Sequence, residues 1–282
     1  MRTTVMRTAL ATALAVLATT LAACGSDGEI KSPDLVKGAH AGGKLTIGIS
    51  FDEPGVGFKD GDTYRGFDVD TATYVAKALG VAAKDITWVR ADPEDRARLL
   101  ESGEADLIVA TYSITDQRKQ EVSFAGPYFV AHQDLLIRRN DTDITGPETL
   151  NDRTLCSVTG TTSSDYVRAH YKGHITLKEY PRYSQCVSAL LAGKVDAVTT
   201  DDLILAGYAA ESRYKGKLKV VGKGFTDERY GIGVKKGDQQ LVDQVDEALK
   251  QYVDDGSWEA ALKRSVGDSG YDIPGPPTPG TA

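Results

Sequence analysis

The sequence predicts an α/β fold of two similar lobes, each a sheet with flanking helices. Three observations carry this expectation. Short β-rich runs alternate with helical patterns, as in sheets whose strands are joined by crossover helices. One module occurs twice: residues 100–108 (LESGEADLI) match residues 190–198 (LLAGKVDAV) position for position in type. Each copy reads as a helix end, a glycine turn, an Asp and a buried strand. Setting aside residues 1–23 leaves 259 of the 282, enough for one large or two modest domains.

In chain order, residues 1–23 read as a targeting segment. Arg2 and Arg7 flank a short n-region, and the apolar run 8–21 is too short for a membrane span. It ends in Leu21-Ala22-Ala23-Cys24-Gly25, which resembles a lipobox, so Cys24 is expected to be acylated and to tether the mature chain. Residues 24–43 are rich in Gly, Ser, Asp and Lys and read as a flexible stalk.

A strand is expected over 45–49, then a helix over 67–79 on the spacing Phe67, Tyr74, Val75, Ala78, Leu79, stopped by Gly80. A strand at 86–89, a helix at 93–101 opened by Pro93, and a strand at 105–109 follow. The second series runs strand 155–158, helix from Ser163, strand 175–177, helix 184–191, strand 195–198, helix 202–211 and strand 218–221. The chain is expected to cross between lobes near 133–137 and 225–231, with final helices 240–252 and 257–263 returning to the first lobe. The resulting division is 44–133 plus 229–267 for lobe 1 and 134–228 for lobe 2. Residues 268–282, with Pro274, Pro276, Pro277 and Pro279, read as a disordered tail.

The formal charge of −7 becomes −9 once Arg2 and Arg7 are removed, which gives no support to a nucleic-acid partner. With Cys24 assigned to acylation, Cys156 and Cys186 are expected to pair in an exported chain. The chain-entropy value for closing that loop is roughly 3–4 kcal/mol. No histidine accompanies the cysteines at metal-ligand spacing, so no metal or cofactor is expected. No phosphate-binding loop of the G-x-x-x-x-G-K-[ST] type occurs either.

Ligands of such sheets bind beyond the carboxyl ends of the strands. In both copies of the module that position is rich in hydroxyls: 111–115 (TYSIT) in the first and 199–202 (TTDD) in the second. Arg118 follows Ser113 by about a helical turn, and Thr111 lies two residues before Ser113. A planar, permanently charged fork beside hydroxyl donors suits bidentate capture of a small carboxylate. Gly160-Thr161-Thr162-Ser163 follows a strand and opens a helix, where N–H groups and hydroxyls make an anion cradle or an ordinary N-cap. Asp201 closes the second module. It can serve an ammonium group or cap the following helix, a task open to Asp202 as well.

The order strand, S-I-T, two residues, Arg118, then Phe124-Ala125-Gly126-Pro127-Tyr128 resembles the polar amino-acid-binding family (family 3) of ABC-transporter solute-binding proteins. Gly66-Phe67-Asp68-Val69-Asp70 fits that family's G-F-D-[VI]-D signature. The resemblance spans about 44–266 and implies a type II periplasmic-binding-protein-like clamshell. It implies that Arg118 grips the ligand's α-carboxylate, with Thr161 and Thr162 opposite. Asp201, five residues after Asp196, then takes the α-ammonium, and the aspartates of the Phe67 signature stay structural. Phe51 lies where family members often supply an aromatic lid.

The arrangement W-R, R six residues on, S-V-T-G, Y-S-Q-C, T-T-D-D and Y-G-I-G resembles glutamate-binding lipoproteins of high-GC Gram-positive bacteria. That resemblance implies a second cation for a γ-carboxylate. Arg96 is the candidate, with a structural ion pair to Asp92 or Glu101 as its alternative and Arg90 and Tyr183 as further side-chain contacts. The expectation is therefore a monomeric, lipid-anchored receptor on the extracellular face of the cell membrane. It would bind a polar amino acid, L-glutamate ahead of the alternatives glutamine and aspartate, and serve ABC permease subunits. An enzyme on the same fold, of the cyclohexadienyl dehydratase type, and a sensor that signals without transport are the rivals. His40, His132, His170 and His174 all lie outside the strongest motifs.

Overall fold

A computed structural model describes residues 43–171 and 173–282. Cys24, the targeting segment 1–23 and the stalk up to residue 42 lie outside the described residues. The elements, in order, are β1 (Leu45–Ile49), β2 (Asp52–Glu53), β3 (Gly57–Asp60), β4 (Thr63–Arg65), α1 (Phe67–Ala78), β5 (Ile86–Arg90), α2 (Arg96–Ser102), β6 (Leu107–Ser113), α3 (Arg118–Glu121), β7 (Ser123–Ala131), β8 (Gln133–Arg138), β9 (Thr154–Val158), α4 (Thr162–His170), β10 (Thr176–Tyr180), α5 (Tyr183–Leu191), β11 (Ala197–Asp201), α6 (Asp202–Ala210), β12 (Leu218–Val220), β13 (Glu228–Val234), α7 (Gln239–Asp254) and α8 (Ser257–Val266).

Two five-stranded sheets form the lobes, in the orders β5-β1-β6-β13-β7 and β10-β9-β11-β8-β12. In each, parallel strands occupy one side and antiparallel strands the other. Every residue of β6 is buried, as expected of a central strand covered on both faces. The α1, α7 and α8 face buries Phe67, Phe129, Tyr252 and Trp258 against this sheet, and α2 covers the opposite face through Leu99 and Leu100. On α7 the buried set Leu241, Val242, Val245, Ala248, Leu249 and Tyr252 follows helical spacing, and Asp238 caps the helix by accepting the Leu241 N–H at 3.1 Å. Full burial of one such side chain contributes about 1.5–3 kcal/mol.

The duplicated module has a common structural reason. In the first lobe Asp106 accepts the Thr46 N–H at 2.7 Å, and in the second Asp196 accepts the Thr154 N–H at 2.7 Å. Each aspartate thus pins a parallel neighbour, β1 or β9, to the central strand of its sheet. The module's glycines, Gly103 and Gly193, take positive φ at the helix ends (75° and 68°).

The chain passes from the first sheet to the second through His132 alone, between β7 and β8. Gln133 to Ile137, expected at the crossing, already belong to a second-sheet strand. The return lies between β12 and β13, so Arg229 to Gly231 are already in the first sheet. Pro93 precedes α2 by a turn instead of opening it, because Asp95 N–H bonds the Asp92 carbonyl first. The loop after β1 folds into a small three-stranded sheet, β2-β3-β4, that alternation of strands and helices did not foretell.

Residues 268–282, expected to be disordered, pack on the body. Tyr271 and Ile273 rest on the first-lobe core, Thr281 N–H bonds the Gly126 carbonyl at 3.0 Å, and Arg229 holds Thr281. Prolines lower the entropy lost on fixing an extended strap, and an aromatic and an aliphatic anchor suffice to dock it. A proline count alone does not reveal those anchors.

The lobes meet. The loop at Pro54 runs so close to α6 that a Cβ on Gly207 would stand 1.8 Å from the Pro54 carbonyl oxygen. That approach accounts for a glycine inside a helix, where it otherwise costs about 1 kcal/mol relative to alanine. Tyr208 donates to the Asp52 backbone carbonyl across the same junction.

Candidate functional site

Between the lobes lies a small, nearly filled cavity of about 10 Å³. It is lined by Arg96, Thr111, Ser113, Arg118, Thr161, Thr162, Ser163, Tyr183, Thr200, Asp201 and Ile204. The eight ligand-contact residues expected from sequence are all among them. Ser163, Thr200 and Ile204 complete the wall.

The first lobe supplies the ends of β6 and the starts of α2 and α3. Thr111 has φ 45°, a left-handed value rare for a β-branched residue. It is held there by Asp68, which accepts the Thr111 N–H at 3.0 Å and the Tyr128 hydroxyl at 2.7 Å. Asp68 therefore serves the frame of the site and not its lining. The Thr111 hydroxyl donates to Glu53 at 3.3 Å. Arg118 donates from Nη1 to the Ser113 carbonyl (2.8 Å) and from Nη2 to the Gly160 carbonyl of the other lobe (3.1 Å). Its pKa is lowered from the ordinary arginine value by burial and then by the nearby charge of Arg96.

Arg96 is 3% exposed and makes no ion pair or hydrogen bond among the described residues. Asp92 is engaged by Arg90 at 3.2 Å, so the alternative reading of Arg96 as a partner of Asp92 does not hold. Arg90 itself is on the outer side, over the ring of Phe51. Phe51 packs on Tyr64 and does not line the cavity.

The second lobe supplies the start of α4, the start of α5 and the end of β11. Thr161 is the N-cap of α4: its hydroxyl accepts the Ser164 N–H at 3.2 Å and donates to the Val158 carbonyl at 2.7 Å. The Thr162 hydroxyl lies 3.5 Å from that of Ser113 and donates to Glu228 at 2.9 Å. Tyr183 accepts from Thr200 at 2.5 Å. Asp201 stands at the N-cap position of α6 but accepts no capping bond there. Its oxygens accept from Tyr230 (2.6 Å) and Ser163 (3.4 Å) instead. Asp202 takes the His132 and Leu203 N–H groups. Cys156 on β9 and Cys186 on α5 are disulfide-bonded with their Cα atoms 5.5 Å apart, which ties the base of α5 to the sheet.

Among the described residues acids and cations are buried together without direct ion pairs, although the charge of Arg96 opposes the rise of Glu53 and Asp68 from a distance. Burial, and then the charge of Glu228, raises the Asp201 pKa. Glu53 is pushed up to about 8 by burial first and the Asp68 charge second, and Asp68 to about 7 by burial. Such a site favours a ligand that brings both an ammonium group and carboxylate groups. Glu53 and Glu228 were not singled out from sequence. They reach the site from a short hairpin and from the returning strand, and no local motif marks either.

Residues 45–268 match the sequence model of the bacterial extracellular solute-binding proteins, family 3. Over 274 residues the chain is 40% identical to the glutamate-binding protein GluB of Corynebacterium efficiens, an overlap covering 93% of this chain and 91% of that one. It is 33% identical over 255 residues to the ABC transporter glutamine-binding protein GlnH of Bacillus subtilis, covering 87% and 92% respectively. Its fold is similar to that of an ancestral arginine-binding protein bound to glutamine (TM-score 0.72, 31% identity, 80% of this chain and 98% of that one).

Proposed function

We propose, for a chain that belongs to family 3 of the bacterial extracellular solute-binding proteins, that it is the receptor of an ABC importer for L-glutamate. The observation that carries the choice of ligand is Arg96, a buried guanidinium without a carboxylate partner on the wall that also holds Arg118. A buried cation left unpaired is costly, and a ligand anion relieves that cost. In this reading Arg118, Ser113, Thr111, Thr161 and Thr162 surround the α-carboxylate. Asp201 receives the α-ammonium, and Arg96 with Tyr183 meets the γ-carboxylate.

Closure is the working step. The Arg118–Gly160, Ser113–Thr162 and Asp52–Ser184 contacts all join one lobe to the other. A ligand bound by both lobes favours the closed state by its differential affinity for it, and the permease would read that state. Acylation of Cys24 would keep the receptor beside the permease.

Calorimetric titration of protein stripped of ligand by unfolding and refolding tests the reading. Glutamate is expected to bind most tightly, ahead of aspartate and glutamine. Binding of glutamine or a basic amino acid tenfold tighter than glutamate would overturn the choice of ligand. Conversion of a bound compound, followed by mass spectrometry, would replace the receptor with an enzyme.

A further inference from the structure

We propose that Tyr112 is a specificity-determining positioning residue: its ring sets the separation of the Arg96 and Arg118 guanidinium groups, and that separation selects a dicarboxylic amino acid. The inference rests on the reading of the cavity as a glutamate site and adds to it the element that measures the ligand's length.

Both guanidinium carbons lie on one ring, Arg96 at 5.1 Å and Arg118 at 5.0 Å from its centroid. The two cations are thus no more than about 10 Å apart, since each sits about 5 Å from the same centre. Each arginine is the first residue of its helix, α2 and α3, so the two helix starts converge on Tyr112. Like charges this near normally call for a carboxylate between them. A carboxylate there would neutralise both forks and compete with the ligand. An aromatic face attracts cations through its quadrupole but leaves their charge and their N–H donors available. Tyr112 supplies the attraction without the competition.

The ring is also held still. Tyr112 is 3% exposed and meets Phe124 edge-on at 4.9 Å between centroids. On the other side Gly233 of β13 has no Cβ, and one built there would come within 3.2 Å of the ring. The phenol oxygen makes no hydrogen bond among the described residues, so the ring and not the hydroxyl is the functional part.

The test measures the ratio of glutamate to glutamine affinity in the full chain by calorimetry. Tyr112→Phe is expected to keep the wild-type ratio within about twofold. Tyr112→Leu is expected to weaken glutamate more than glutamine by about threefold to thirtyfold, the range of one to two cation–π contacts. Because a truncated ring can also disturb packing, phenylalanines carrying one, two and three ring fluorines are placed at position 112. They keep the shape and drain the quadrupole, and glutamate affinity should fall stepwise and more steeply than glutamine affinity, because glutamine leans on Arg118 alone. Equal losses for both ligands in Tyr112→Leu, or a flat response along the fluorine series, overturn the role of the ring. A wild-type protein with no preference for glutamate over glutamine overturns the choice of ligand and this inference with it.

Discussion

The Asp52 carboxylate accepts the backbone N–H of Ser184 at 2.9 Å, so an acid of the first lobe caps a helix of the second. Helix α5 has no side-chain cap of its own at Arg182. Its N-terminus is completed only where the lobes meet, and Tyr183 of the cavity wall is its first residue. A cap of this kind contributes about 0.5–2 kcal/mol. Asp52→Ala should therefore weaken ligand binding by about twofold to thirtyfold without touching the ligand. Small-angle scattering at saturating ligand should still show closure. A fully unchanged affinity would assign the contact no part in closing.

Arg118 and Asp201 are expected to hold the two ends of the amino-acid backbone. Removing one partner of a desolvated charge pair costs roughly 2–5 kcal/mol, or about thirtyfold to several thousandfold in affinity. Arg118→Ala and Asp201→Ala should each show such a loss in calorimetry, with circular dichroism unchanged. A loss under about threefold in either variant removes that residue from the site.

Arg96→Ala separates the side-chain reading from a structural one. It should weaken glutamate by at least tenfold and leave glutamine within a few-fold, because only the γ-carboxylate needs the cation. Equal losses for both ligands would make Arg96 part of the frame.

Glu53 yields a pH dependence with a definite sign. Its carboxyl is raised from 4.5 in the unfolded chain to about 8 in the folded one. The folded state thus holds its proton more tightly, so this group's contribution to stability is complete below about pH 4.5 and is lost as pH rises to about 8. Glu53→Gln mimics the protonated form. It should raise ligand-free stability at pH 8 relative to wild type by on the order of 1 kcal/mol or more, and by less at pH 5. Thermal unfolding at the two pH values checks this, and a gain that is the same at both would reject the assignment.

The parts of this molecule that sequence made legible share a physical cause. Thr111, Ser113, Arg118, Thr161, Thr162 and Asp201 lie in the last residues of strands or just beyond them, where local pattern and topology together dictate what faces the cleft. The repeated Asp106 and Asp196 were visible as a duplication because each lobe solves the same problem of anchoring a parallel strand beside its central one. What stayed hidden acts between segments remote in sequence. Asp52 caps a helix 132 positions away, Glu228 faces Thr162 across 66, and Tyr112 gathers two arginines that sequence could only treat singly. The docked tail was missed for the reverse reason: its composition was read, and its two anchors were not.

The glycine at position 207 lies close to where the chain crosses from one sheet to the other. Helix α6 begins beside His132, where Asp202 N–H bonds the His132 carbonyl, and Gly207 lies about 7.5 Å further along it. A methyl group added there has to retreat by at least about 1.6 Å to go from 1.8 Å to the 3.4 Å of ordinary contact with the Pro54 oxygen. A shift of that size at the junction of the lobes would carry to their other contacts, where Arg118 reaches Gly160. One added carbon atom would thus work as a doorstop, and Gly207→Ala would hold the lobes ajar with every residue of the proposed site intact.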